Sequence, residues 1–204
     1  MKKVYPPLAG FSLIEVLVVM FILGVVGIAI ATFQNDIFSL NRILVSDLSS
    51  QQEVRVALKQ ISAELRSTSP SSTGAYAIAE ASSTSLTFYS DIDDDGQRER
   101  MRYFLQNSIL KRGVLKPSGN PLTYNPANET ITNLVQGVYA TTTPIFHYYN
   151  AGYDGQTTSM AQPVTTTNVR LVKITLTVDK NILEPPAPST LTTQITLRNI
   201  KDNL

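Results

Sequence analysis

The sequence predicts an α+β fold: one long N-terminal helix, membrane-spanning in its first half, packed on an antiparallel β-sheet head. Three observations carry that prediction. Residues 9–33, AGFSLIEVLVVMFILGVVGIAIATF, are almost unbroken hydrocarbon. From there to Leu65 apolar residues recur mostly at three- and four-residue steps, the period of one helix face. Past residue 69 the pattern turns to short alternating strands punctuated by Asp, Gly, Pro and Asn, which reads as hairpins and not βαβ units.

The first element is a helix of membrane length. Roughly 20 apolar residues, at about 1.5 Å each, cross a bilayer core of about 30 Å. Between Phe11 and Phe33 the one strongly polar side chain is Glu15. A carboxylate inside such a run costs about 2.5–3.5 kcal/mol on insertion scales, so its presence demands a reason. Lys2 and Lys3 precede the run without an acidic partner, which by the positive-inside rule keeps the N-terminus cytoplasmic and sends the bulk of the chain across.

Two readings of the residues alone remain open beside a functional one. Ala29-Ile30-Ala31 offers a small-residue cleavage box that would release a chain starting at Thr32, although the apolar run exceeds the usual h-region and contains a glutamate. A plain anchor accounts for the length and leaves Glu15 as an unexplained cost.

The helix continues beyond the membrane-length run. Ile37, Leu40, Leu44, Leu48, Val54, Leu58, Ile61 and Leu65 keep the helical step, and Pro70 with the SSTG run ends the helix near Ser67. This second half is amphipathic and needs a sheet to pack against. Gly24 and Gly27 are weak points at about 1 kcal/mol each relative to Ala, or places of close helix contact.

The head follows as strands. TSLTFYS and RERMRYFLQ flank the turn DIDDDG, and ILKRGVL completes a three-stranded meander over residues 84–115. ETITNLVQGVYA and PIFHYYN supply further strands. NVRLVKITLTVDK places Val172, Ile174, Leu176 and Val178 on one face, and after EPPAPS the last strand presents Leu191, Ile195 and Leu197.

Composition excludes several classes. The 204 residues hold 17 basic and 16 acidic side chains, a net charge of +1; without the first ten residues the balance is −1. Such a chain has no global pull toward nucleic acid. Arg98, Arg100, Arg102, Lys111 and Arg112, with Tyr103 and Phe104, read as a solvated sheet face offset by nearby aspartates. Cysteine is absent and His147 is the single histidine, so there is no zinc-ligand cluster and no His-paired nucleophile. His147 alternates with aromatics in FHYY and reads as a half-buried strand residue.

Asp91, Asp93, Asp95 and Gly96 make D-x-D-x-D-G, the first half of an EF-hand loop. Glu99 stands at the ninth position, but Arg102 occupies the twelfth, where a bidentate glutamate belongs, so a full EF-hand is excluded. A solvated acidic hairpin turn and a looser Ca2+ site built from Asp91, Asp93, Asp95 and Glu99 both remain open. The turn NAGYDG reads as a loop.

The short basic leader ending in Gly10, then Phe11, Glu15 and a long apolar helix, resembles the N-terminus of type IV prepilins and type II secretion pseudopilins. VRVALKQISAELRS, TFYSDIDDDGQRERMRYFLQNSILKRG, FHYYNAGYDG and VRLVKITLTV extend the resemblance to the J-type minor pseudopilins and W-type minor pilins. The resemblance implies a pilin-like fold with a leader peptide over 1–10, a transmembrane and filament-core helix over 11–33, its amphipathic continuation over 34–68 and a β-rich head over 69–204. It further implies cleavage by prepilin peptidase between Gly10 and Phe11, N-methylation of Phe11, and an assembly contact from Glu15 to the α-amino group of a neighbouring subunit. Implied partners are other pilins or pseudopilins, the prepilin peptidase, an inner-membrane assembly platform and membrane lipid, with no nucleic acid. The implied location is the inner (cytoplasmic) membrane and then a periplasmic or surface filament. Major pilins commonly carry a proline within this segment; none lies between Phe11 and Pro70. A non-catalytic filament subunit is the first expectation, and a membrane-anchored module recognising a secreted substrate, surface or DNA is the alternative.

Overall fold

The computed structural model describes residues 10–139, 144–179, 187–198 and 200. Residues 1–9 of the expected leader, with Lys2 and Lys3, lie outside the described residues, as does most of the EPPAPS loop. The architecture is α+β and pilin-like: helix α1 spans Leu13–Arg66, and eight strands follow among the described residues. Contacts divide the chain into two compact units, Met1–Val45 and Ser46–Leu204.

Within the first unit Phe11, at 83%, and the described side chains of α1 are exposed, among them Leu13, Met20, Phe21, Ile28, Phe33 and Phe38. The stretch Leu13–Asn41 contains an 18-residue window of mean hydropathy 2.9 and is long and apolar enough to cross a membrane. Its polar side chains are few. Thr32 returns its hydroxyl to the carbonyls of Ala29 (2.9 Å) and Ile28 (3.2 Å), the usual way a hydroxyl is satisfied inside an apolar helix.

The second unit begins where the helix acquires a buried stripe. Val54, Ala57, Leu58, Ile61 and Leu65 are all buried, spaced as one helical face. The expected amphipathic stretch from residue 34 is therefore narrower in the structure: Ile37, Leu40 and Leu48 keep the helical period but are exposed. The side chain of Leu44 lies outside those described.

The head holds two antiparallel sheets. The first has five strands in sequential order, β1 (Ile78–Ala81), β2 (Ser85–Ser90), β3 (Glu99–Gln106), β4 (Ile109–Leu115) and β5 (Thr130–Gln136). The predicted meander is its centre, with β1 and β5 added at the edges. The second sheet orders β6 (Phe146–Tyr149), β7 (Leu171–Val178) and β8 (Ser189–Thr196). In β7 Val172, Ile174, Leu176 and Val178 are buried, and Val172 pairs with Ile195 and Leu176 with Leu191. The alternation read from the sequence is the packing face.

The buried stripe of α1 joins Leu86, Phe88, Met101, Tyr103 and Leu110 of the first sheet and Val172, Ile174 and Ile195 of the second in one apolar core. The sheets are stitched by backbone: Ile145 N–H donates to Ser83 O at 2.9 Å, and Thr175 N–H to Ile145 O at 2.9 Å. The buried Tyr148 hydroxyl donates to the Ser82 carbonyl at 2.8 Å, so a large ring is buried without orphaning its polar tip.

Candidate functional sites at the acidic hairpin and the N-terminal segment

The hairpin between β2 and β3 carries the aspartates. Asp94 and Gly96 adopt φ of 58° and 84°, in the left-handed region, which turns the chain sharply between the strands. Gly96 N–H donates to Asp91 Oδ2 at 3.0 Å, and Ile92 N–H donates to Glu99 Oε2 at 3.0 Å. Asp91, Asp93 and Glu99 each bring one carboxylate oxygen within 4.8 Å of the others. Asp95 stands outside that group, its Oδ1 accepting from Gln97 N–H at 2.7 Å. The sequence spacing grouped Asp95 with the other two aspartates, and the left-handed turn at Asp94 separates it.

Lys116 forms an ion pair with Asp93. This hydrogen bond draws the Asp93 carboxyl below its usual range and the Lys116 amine above its own. Glu99 lies on the opposite side of the balance. It is fully buried, and burial, with the Asp93 charge adding to it, raises its carboxyl above the ordinary value. In the NAGYDG turn Asp154 Oδ1 accepts from the Thr157 hydroxyl (2.6 Å) and from Thr157 and Gln156 N–H (2.8 and 2.9 Å). Those hydrogen bonds lower its pKa to about 2 and employ it as a loop cap.

The basic residues of β3 and β4 are largely committed within the head. Arg102 makes a two-armed pair with Glu129 (2.9 and 2.6 Å), and its guanidinium lies 4.1 Å from the Phe104 ring centroid. Gly113 sits under that pair, where any Cβ would strike the Glu129 carboxylate. Arg112 reaches Glu64 of α1 at 2.8 Å, and the Tyr103 hydroxyl donates to the same carboxylate. Arg98 donates to Ser69 Oγ and to the Gly96 carbonyl. His147 is half-buried opposite Lys173; burial, then the Lys173 charge, lowers its pKa.

At the other end of the chain, Gly10 and Phe11 are exposed, and nothing lies within 4 Å of where a Cβ on Gly10 would stand. Ser12 caps the helix: Glu15 N–H donates to Ser12 Oγ at 3.3 Å, and Val16 N–H to Ser12 O at 3.2 Å. Ser12-Leu-Ile-Glu15 is thus the S-x-x-E pattern of a capping box, a signal present in the sequence and missed in the reading above. It places Glu15 in the first turn, where the helix dipole favours negative charge. Among the described residues the Glu15 carboxylate has no partner.

Residues 9–31 match the model of the prokaryotic N-terminal methylation motif. Over these residues the chain is similar to the N-terminus of type IV pilin-like prepilins. No curated protein matches it. The matched residues include Gly10, Phe11 and Glu15: two exposed residues about a capped helix start, followed by apolar side chains that are exposed among the described residues. The apolar prepilin helix is compatible with membrane anchoring before assembly.

Proposed function

We propose that this prepilin-like chain is a minor subunit of a type II secretion pseudopilus or type IV pilus, placed at or near the tip, where it primes assembly. Prepilin peptidase cuts between Gly10 and Phe11 and methylates the new Phe11 amino group. Before assembly the subunit sits in the cytoplasmic membrane, N-terminus inward and head on the far side, and its task is assembly without catalysis. The observation that carries this reading is the methylation motif lying on a fully exposed apolar helix with one unpartnered carboxylate.

Physical chemistry supplies the mechanism. Cleavage creates an ammonium at Phe11, one helical turn from Glu15. Within a bundle of such helices both charges sit in a medium of low dielectric, where a lone charge costs several kcal/mol. Glu15 paired with the Phe11 ammonium of a neighbour removes both penalties together. A subunit entering out of register leaves both unpaired, so the pair selects one axial position while the apolar side chains supply non-directional burial.

Charge substitution tests this. Glu15→Val is expected to be cleaved normally and to accumulate in the membrane but to lose recovery with filament or minor-subunit partners on crosslinking. Recovery of Glu15→Val with those partners at the wild-type level would refute the registry role. Gly10→Val is expected to block both cleavage and assembly.

A further inference from the structure

We infer that the β2–β3 hairpin is a Ca2+ site whose ligands are Asp91, Asp93 and Glu99. Two of these carboxylates share an arrangement: one oxygen is tied by a backbone N–H, and the other is left buried and unpartnered. Glu99 Oε2 accepts from Ile92 N–H while Oε1 has no partner, in a residue with 0% of its surface exposed. Asp91 Oδ2 accepts from Gly96 N–H while Oδ1 is buried without a partner. A buried carboxylate oxygen without a donor is expensive. Here two such carboxylates converge with a third, all within 4.8 Å, so their mutual repulsion adds to the desolvation cost. A cation on their common side removes both terms.

The chemistry of the donors selects the ion. All three are hard carboxylate oxygens, which suit Ca2+ or Mg2+ and not Zn2+, whose sites favour nitrogen and sulfur. Ca2+ accepts irregular ligand sets at about 2.3–2.6 Å, so oxygens on opposite sides of one ion stand up to about 5 Å apart; Mg2+ requires near-octahedral geometry and about 2.0–2.1 Å. A hairpin supplying three carboxylates from a tight turn meets the first demand more readily than the second. Backbone carbonyls or water complete the shell.

Lys116 is the built-in competitor. Its ammonium is paired with Asp93, the exposed member of the three, and Ca2+ binding displaces it toward solvent. The site therefore exchanges a monovalent for a divalent counter-ion, and Lys116 sets the affinity without being a ligand. Asp95 lies outside the group of three, its Oδ1 engaged by Gln97 N–H, and acts on the site through its charge rather than as a ligand. The assignment stands on the hairpin alone and does not depend on pilus assembly.

Isothermal titration of CaCl2 into the purified, EDTA-stripped full chain in detergent, at fixed ionic strength, tests it. One site per chain is expected, in the range of about 10⁻⁴–10⁻³ M common to extracellular Ca2+ modules. Glu99→Gln and Asp93→Asn are expected to weaken binding at least about tenfold, while Asp95→Asn stays within about threefold. Lys116→Met is expected to tighten binding by about threefold or more, since it frees Asp93. Asp93 is exposed, so its variant tests the site without risking the fold. No Ca2+ heat at 5-fold the expected range, about 5 mM, would overturn the assignment. So would equal losses from Asp95→Asn and Asp93→Asn, which would mean diffuse acidic charge in place of a site.

Discussion

Replacing Glu64 with alanine should destabilise the head by about 3 kcal/mol, far more than a surface substitution. Glu64, on the last turns of α1, accepts from four donors. Gln60 Nε2 (3.1 Å) and Arg112 Nη2 (2.8 Å) reach Oε1, and the Tyr103 hydroxyl and Arg112 Nε (3.3 Å) reach Oε2. The carboxylate thereby joins the helix to β3 and β4. Its side chain is 12% exposed and that of Arg112 16%. Burial works against the Arg112 charge, yet the hydrogen bond and charge of Glu64 more than offset it and hold the guanidinium pKa above its ordinary value. Burial, with the Glu64 charge adding to it, pushes the Tyr103 hydroxyl well up.

Truncation leaves Arg112 without its counter-charge. A fully buried pair broken this way costs about 3–5 kcal/mol, which partial exposure reduces to about 2. The Tyr103 hydroxyl, in a residue with no exposed surface, loses its acceptor at a further cost of about 1–2 kcal/mol. The better helix propensity of alanine returns a few tenths. The sum, about 3 kcal/mol, corresponds to a fall of about 6–12 °C in Tm for a domain of this size. Urea unfolding of the detergent-solubilised chain at pH 7 measures it, together with Arg112→Met and the double variant. A coupling energy of about 1.5–3 kcal/mol is expected from the cycle. A loss below about 1 kcal/mol for Glu64→Ala, or additive single effects, would refute the clamp.

The helix should divide sharply in its response to truncation. Ile61→Ala, at 0% exposure, is expected to cost about 2–5 kcal/mol, whereas Leu48→Ala, at 66%, should change stability by less than about 0.5 kcal/mol; both values come from urea unfolding. The head should also lose stability as pH falls below 6.5, the ordinary His value, because folded His147 binds its proton at lower pH than the unfolded chain does. That contribution is full above 6.5 and is lost as pH falls through the depressed folded value. His147→Gln should flatten this part of the pH dependence, and an unchanged slope would assign it to other groups.

Much of this architecture is legible in the sequence because its signals are local. The apolar run from Phe11, the helix stop before Pro70 and the alternation of Val172, Ile174, Leu176 and Val178 each depend on a window of no more than about 25 residues. The onset of packing on α1 is not legible in the same way. Ile37, Leu40 and Leu48 repeat the helical period of Leu58 and Leu65, and periodicity cannot tell a face covered by the chain's own sheet from one left exposed. Strand β1 escaped because IAEA is only four residues long, alanine-rich and half exposed, and the division into two sheets rests on contacts distant in sequence.

The candidate sites show the same boundary. D-x-D-x-D-G announced an acidic turn, but alternate spacing implies shared direction only in an extended chain. The left-handed conformations at Asp94 and Gly96 leave Asp95 aside, while Glu99, already named from its ninth position, stays with Asp91 and Asp93. The Glu64–Arg112–Tyr103 cluster joins residues up to 48 positions apart, and no local pattern marks it. Glu15 stood out at once, since a carboxylate in hydrocarbon is conspicuous on energetic grounds alone. Its capping partner Ser12 required the S-x-x-E pattern to be sought.

Intact mass and N-terminal sequencing of the chain purified from membranes of its native host test the central claim most directly. The account predicts a chain that begins at N-methylated Phe11. A chain beginning at Thr32, released at the Ala29-Ile30-Ala31 box, would contradict it, as would one that retains Met1.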